Sequence, residues 1–338
     1  MEDCAICHAQ KGQNIPGKLR ECAKCHAKEA QNVPGKLRYR PKCHAYKSIL
    51  PSDDKKCILA LEMIQDIAPH KFHNEFRKDA APTGETPVLC FDERKILVSV
   101  SEEGIVFPTY EQLGKPEGIV YAFAMDETEY FLETSGGIRE LAGFEYQDLF
   151  AIRRVAENVF GMIMFTGYHL ASWYKDSVYC GRCGGKNVHS DYERAMHCPH
   201  CNRNAYPRIM PAVIVGVTDG ERLLVTQYKQ GYGHFALVAG FAEIGETLEE
   251  TVAREVMEET GLKVKNVTYY KSQPWGIAND MLTGYYCETD GSNEIKLDEN
   301  ELRLALWKLP AEIELQPDSY SLTNEMMRMF KEHGVFWK

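Results

Sequence analysis

Residues 240–262 read GFAEIGETLEETVAREVMEETGL. From Thr247 to Thr260 the run holds neither proline nor glycine, and Leu248, Val252 and Val256 recur at helical intervals, so the spacing predicts an amphipathic helix burying one stripe. Gly261 stands where a left-handed cap would end it. Residues three and four apart share a helix face, so Glu255, Glu258 and Glu259 converge on one patch. Like charges so placed repel. A hard divalent cation, which prefers carboxylate oxygens and substrate phosphates, would supply the missing positive charge. Three glutamates alone also suit a solvated acidic face, so the residues around them decide the reading.

Working outward, YCGRCGGKNVHSDYERAMHCPHCNR places Cys180, Cys183, Cys198 and Cys201 in two CxxC knuckles, with Gly181, Gly184 and Gly185 supplying tight turns. Four thiolates at this spacing suit tetrahedral zinc, and a closed Cys4 shell leaves no open position for chemistry. A structural zinc ion, one per chain, is therefore expected. Zinc ribbons also bind nucleic acid, although this loop is not notably basic.

The first 45 residues repeat with a period of 18: CAICHAQKGQNIPGKLR from Cys4 recurs as CAKCHAKEAQNVPGKLR from Cys22, and RPKCHA from Arg40 is a decayed third copy. CxxCH is the haem-attachment pattern, but the N-terminus begins acidic without an apolar core, so no export signal is read and a reducing cytoplasm is expected. Two readings of this head stay open: a second zinc site on Cys4, Cys7, Cys22 and Cys25, or a duplicated, partly disordered tail with turns at Pro16 and Pro34. The twelve cysteines are then read as thiols rather than disulfides.

At 338 residues the chain has room for two or three domains. No apolar run approaches the roughly 20 residues of a membrane span. Net charge is −10, unevenly spread: residues 1–47 carry ten Lys/Arg against four Asp/Glu, about +6, leaving about −16 elsewhere. An acidic body makes a poor generic nucleic-acid binder. Residues 57–78 look helical and then irregular. Alternating runs such as KILVSV and GIVYAFAM between Pro87 and Leu149 read as strands of a small mixed domain. Ile152, Val155, Val159 and Ile163 lie at helical spacing, predicting a connecting helix over 151–173.

In the opening stretch, five residues separate Gly240 from Glu246 and seven more precede Arg254-Glu255-Val256, Glu258-Glu259 and Gly261-Leu262, which fills every fixed position of the Nudix box. The chain thus resembles Nudix hydrolases, and over residues 85–330 it resembles their NADH pyrophosphatase subfamily, also associated with removing NAD caps from RNA. The shared stretches are the ribbon, YPRIMPAVIV (206–215), the box, SQPW (272–275) and ELRLALW (301–307). The resemblance implies an α+β chain in which a Nudix αβα sandwich follows a Cys4 zinc ribbon and a small N-terminal mixed α/β domain. The implied divisions are 1–50 (the CxxCH head), 51–150 (N-terminal domain), 151–175 (connecting helix), 176–205 (ribbon) and 206–338 (Nudix domain).

It further implies hydrolysis of the pyrophosphate of NAD(H) to nicotinamide mononucleotide and AMP in a homodimer dependent on Mg²⁺ or Mn²⁺. Glu255 and Glu259 would bind metal, with Glu258 a further ligand or base, the Ala239 carbonyl and Glu301 completing the set, and Arg254 orienting the glutamates. The base is assigned to Glu258 and Glu259 jointly. Tyr206 and Phe241 would sandwich a base, one ring coming from the partner, and Glu193, Gln273, Trp275, Asp280 and Thr323 would contact substrate. Three departures stand out: Gly276-Ile277-Ala278-Asn279-Asp280 replaces the rigid proline frame after Trp275, Leu304 stands where a second glutamate is usual, and Thr323 replaces an alanine. The first puts selectivity for reduced nicotinamide in question. It also admits a Nudix enzyme preferring ADP-ribose or another dinucleotide. From a different class comes a non-catalytic zinc-ribbon nucleotide or RNA binder, which would have no need to keep all three glutamates.

Overall fold

The computed structural model describes residues 63–101, 104–136, 140–153, 158–317 and 320–335; the CxxCH head, with its candidate second zinc site, lies outside the described residues. Eight short strands come first: β1 (Phe72–His73), β2 (Val88–Leu89), β3 (Phe91–Asp92), β4 (Lys95–Ser101), β5 (Gly104–Val106), β6 (Ile119–Met125), β7 (Thr128–Glu133) and β8 (Glu145–Asp148). They form one sheet ordered β1-β6-β7-β2 and another ordered β3-β4-β5, with β8 also on β4. In β4 the period-2 pattern serves two cores. Ile96 and Val98 pack with Phe123, Leu132 and Phe160, while Leu97 faces Cys90, Tyr121 and Phe131 on the other side.

Helix α1 (Leu149–Ile152) is capped by Asp148, whose carboxylate accepts from the Phe150 and Ala151 amides. Helix α2 (Asn158–Asp176) buries Phe160, Ile163, Met164 and Trp173 against the first sheet. Of the helix expected over 151–173, Val155 lies outside the described residues, which show helix at Leu149–Ile152 and again at Asn158–Asp176, ending three residues beyond the expected limit. Beyond it, β9 (Val188–His189), β10 (Met196–Cys198) and β11 (Arg203–Ala205) make the antiparallel ribbon.

The last region is built on β12 (Met210–Asp219), β13 (Arg222–Tyr228), β14 (Val238–Phe241), β15 (Val264–Trp275), β16 (Asp280–Thr289) and β17 (Leu302–Lys308). The order is β15-β16-β12-β13-β17, with β14 added to β12, and β12 and β16 run parallel. The apolar run Ala212–Val217 is buried on both faces, as a central strand should be. Val213, Val215 and Val217 meet Val252 and Val256 of helix α3 (Leu248–Thr260), and Ala212 and Ile214 meet Leu322, Met326 and Phe330 of helix α4 (Leu322–His333). The result is an αβα sandwich. No helix among the described residues is long and apolar enough to cross a membrane.

The β15–β16 turn seats this sandwich on α2. A Cβ built on Gly276 would lie 2.2 Å from the Phe165 carbonyl oxygen. Only glycine permits that approach. Beside it Trp275 meets Phe165 edge-on, ring centroids 5.4 Å apart, and the Arg153 guanidinium stands 5.7 Å over the Trp275 ring.

Candidate active site

Helix α3 starts and stops where its sequence dictates. The Thr247 hydroxyl accepts from the Glu250 amide at 3.2 Å while the Glu250 carboxylate accepts from the Thr247 amide at 2.8 Å, a reciprocal capping box. At the other end Gly261, φ 69°, donates to the Met257 carbonyl. Between these caps the glutamates part company: Glu259 lies on the buried stripe with Val252 and Val256, Glu255 at its margin, and Glu258 out in solvent.

Arg254 organises the exposed side of the cluster. Its Nε and Nη2 clasp Glu246 at 2.6 and 2.9 Å, Nη1 reaches Glu255 at 2.8 Å and Glu258 at 3.0 Å, and Nη2 also donates to the Phe241 carbonyl at 2.8 Å. All five donors of the guanidinium are thereby used, a fork that lysine cannot reproduce. The Arg254 contact, assisted by the Glu243 amide, holds the Glu246 carboxyl down at about 2. Gly240 leaves room for Glu255, since a Cβ there would fall 2.0–2.3 Å from its carboxylate and displace it.

Glu259 is the group the fold leaves incomplete. It is 2% exposed, its Oε1 accepts from the Ala239 amide at 3.4 Å, and its Oε2 is sealed from solvent without a donor. Burial, with the charges of Glu255, Glu301 and Asp298, pushes its pKa up to about 8, and burial likewise raises Glu255. The amide and carbonyl of one strand residue point to the same edge, so the Ala239 carbonyl leaves β14 on the side whose amide Glu259 accepts from. Glu259 with its orphaned oxygen, the Arg254-paired Glu255 and the charge of Glu301 come together there. This donor set fits a hard divalent cation.

The tertiary fold adds residues that no motif indicated. The Tyr228 phenol, on β13, is raised in pKa by burial and then by Glu259, Glu301 and Glu255, and Asp298 lies close enough to act on Glu259. Glu301, which the ELRLALW stretch did indicate, acts on both Glu255 and Glu259.

The expected substrate residues fall into three groups. Phe241 and Tyr206 are about half exposed, at 51% and 54%, and Tyr206 donates to Glu193 at 2.8 Å while Asn204 donates to the same Glu193 oxygen at 3.2 Å. Gln273, by contrast, is fully buried: it donates to the Tyr320 carbonyl and accepts from the Leu322 amide at 2.8 Å, which uses both ends of its amide to seat α4. Trp275 is half-buried against α2, and Asp280 is buried at the start of β16. Thr323 sits in the first turn of α4, behind its Ser321 cap.

In the ribbon, Cys180, Cys183, Cys198 and Cys201 bring their sulfurs within 4.8 Å of one another, with Sγ–Sγ distances of 3.6 Å (Cys180–Cys201) and 3.5 Å (Cys183–Cys198). Tetrahedral Zn–S bonds of about 2.3 Å imply sulfurs about 3.8 Å apart. The fit is close. Backbone amides of Arg182 and Cys183 lower the Cys180 thiol to about 6, favouring the thiolate that zinc binds.

Comparison with known proteins follows the same division. Residues 208–329 match the NUDIX domain and residues 175–206 the NADH pyrophosphatase zinc ribbon domain. NAD-capped RNA hydrolase NudC of Escherichia coli O1:K1 / APEC is 40% identical over 173 residues, which cover 50% of this chain and 67% of that protein, and NudC of Escherichia coli strain SMS-3-5 / SECEC matches equally. Among solved structures, a NUDIX hydrolase from Nitrosomonas europaea aligns at 19% identity with a TM-score of 0.40, covering 46% of this chain and 91% of that one.

Proposed function

We propose a reaction from one premise: this chain belongs to the Nudix hydrolases, in the group that carries an NADH pyrophosphatase zinc ribbon. The reaction is hydrolysis of the pyrophosphate of NAD(H) to nicotinamide mononucleotide and AMP, with the NAD cap of RNA as a larger substrate bearing the same linkage. The observation that supports it most directly is Glu259, buried against the Ala239 amide with an orphaned oxygen and within the fields of Glu255 and Glu301.

A bound Mg²⁺ or Mn²⁺ would neutralise the diphosphate and activate water. The residues of the chain do the rest. Glu255, Glu259, Glu301 and the Ala239 carbonyl form the cradle, and Arg254 keeps Glu255 and Glu258 from swinging out of it. Glu258 and Glu259 are the candidate proton acceptors; Glu258 has the solvent access to pass a proton on. Phe241 offers a ring face for a base, and Tyr206 with Glu193 offers a second site of contact, which the partner of a homodimer would present. The zinc ribbon acts as scaffold for that pair. A reducing, cytoplasmic setting suits its thiolates.

The test is to incubate purified protein with Mg²⁺ or Mn²⁺ and NADH, NAD⁺, ADP-ribose and NAD-capped RNA, then resolve products by chromatography. Nicotinamide mononucleotide and AMP are expected, with loss of about a hundredfold or more in Glu259→Gln, on the scale of removing one group that stabilises transition-state charge. Turnover by Glu259→Gln at the wild-type rate would refute the assignment. Faster hydrolysis of ADP-ribose than of NAD(H) would favour the second reading, which the replaced frame at Gly276–Asp280 supports.

A further inference from the structure

Asp280 opens β16 at 7% exposure, and its Oδ1 is sealed from solvent with no donor; the Oδ1 of Asn279 beside it is in the same condition. Orphaned buried acceptors are costly, and more so when charged. Burial alone lifts the Asp280 carboxyl to about 7. Among the described residues no cation pairs with it. A fold keeps such a group at least cost when something else brings the partner.

Strand register shows what stands around it. Asp280 pairs with Met210 on β12 and with Trp275 on β15, while Ala212, two residues along β12, pairs with Phe241 on β14. Directly paired residues project to the same face of a sheet, and so do residues two apart. Phe241, Met210, Asp280 and Trp275 therefore line one face at one end of the sheet. Deeper along that face Leu282, Leu322 and Met326 fill the space. Towards β14 the end is open, with Met210 40% exposed and Phe241 about half, while Trp275 on the other side lies against α2.

An aromatic face on the rim and an unpaired carboxylate on the floor suit a flat ring that carries positive charge. The geometry points to Asp280 as the residue that selects oxidised, pyridinium-bearing nicotinamide over its neutral reduced form. The reduced ring would gain stacking on Phe241 but no charge attraction from the carboxylate. This rests on the proposed reaction only in taking a nicotinamide nucleotide as ligand.

The test is calorimetric binding of oxidised and reduced nicotinamide mononucleotide to the full-length protein at pH 8, which needs no turnover because neither ligand has a pyrophosphate bridge. Wild type should bind the oxidised form more tightly. Asp280→Asn and Asp280→Ser should each cut that preference about tenfold, ~1.4 kcal/mol, with thermal melts confirming that both remain folded. The two replacements differ in size and share only the lost charge, so a common effect identifies the charge. An unchanged preference in both variants, a wild-type preference for the reduced form, or no binding of either ligand would overturn the inference. Wild-type protein that hydrolyses none of the dinucleotides would instead overturn the proposed reaction.

Discussion

Replacing Glu259 by glutamine should remove a pH-dependent weakness from protein free of Mg²⁺ and Mn²⁺. The side chain is 2% exposed with one oxygen unpartnered, and burial is the first cause of its rise to about 8. In the unfolded chain a glutamate titrates near 4.3. The folded state therefore holds the Glu259 proton more tightly than the unfolded state does. Its contribution to stability is fully present below about pH 4.3 and is lost as pH rises through about 8. At 1.36 kcal/mol per pH unit the whole span amounts to about 5 kcal/mol, and relaxation around the new charge reduces the measurable part to ~2–3 kcal/mol. Glutamine has the same shape and no titration. Urea unfolding of both proteins at pH 5.5, 7 and 9, in buffer without added divalent cation and with zinc left in the ribbon, should show wild type losing that much relative to Glu259→Gln. Adding Mg²⁺ at pH 9 should restore wild type and leave the variant unmoved. Parallel pH profiles for the two proteins would refute the argument that Glu259 is an uncompensated carboxylate awaiting a cation.

Other consequences follow from close contacts. In Gly240→Ala the new methyl would overlap the Glu255 carboxylate at 2.0–2.3 Å, so turnover should fall by ~100-fold while the circular dichroism spectrum is retained. Gly276→Ala sets a methyl 2.2 Å from the Phe165 backbone carbonyl, which cannot swing aside, and should cost ~2–3 kcal/mol in denaturant titration by overpacking. Cys198→Ser removes a fully buried member of the thiolate set. It should drop ribbon-bound zinc from one per chain towards zero by elemental analysis, and zinc near two in wild type would show that the CxxCH head also loads.

Much of the site is local information, and local information is what a sequence carries. The reach of α3 is written in Thr247, Glu250 and Gly261, because caps act within four residues. The zinc ligands are legible because each CxxC knuckle is a single turn. The αβα sandwich is an implication of the Nudix-box resemblance, and the apolar run Ala212–Val217 proves to be its central strand.

What the sequence could not decide was how these pieces roll against one another. Helical spacing put Glu255, Glu258 and Glu259 on one arc, but only packing of α3 on β12 and β14 turned Glu259 inward and left Glu258 to solvent. Gln273 and Trp275 carried a motif's expectation of substrate contact. The register of β15 also ties Gln273 to α4 and lays Trp275 on α2, contacts that the motif did not announce. Glu301 reaches the cluster, and Asp280 loses its solvent, through pairings between residues far apart in the chain. Charge, spacing and caps are properties of neighbours along the backbone. Burial and its electrostatic consequences belong to the assembled sheet, and these chose which of the acidic residues the fold left without a partner.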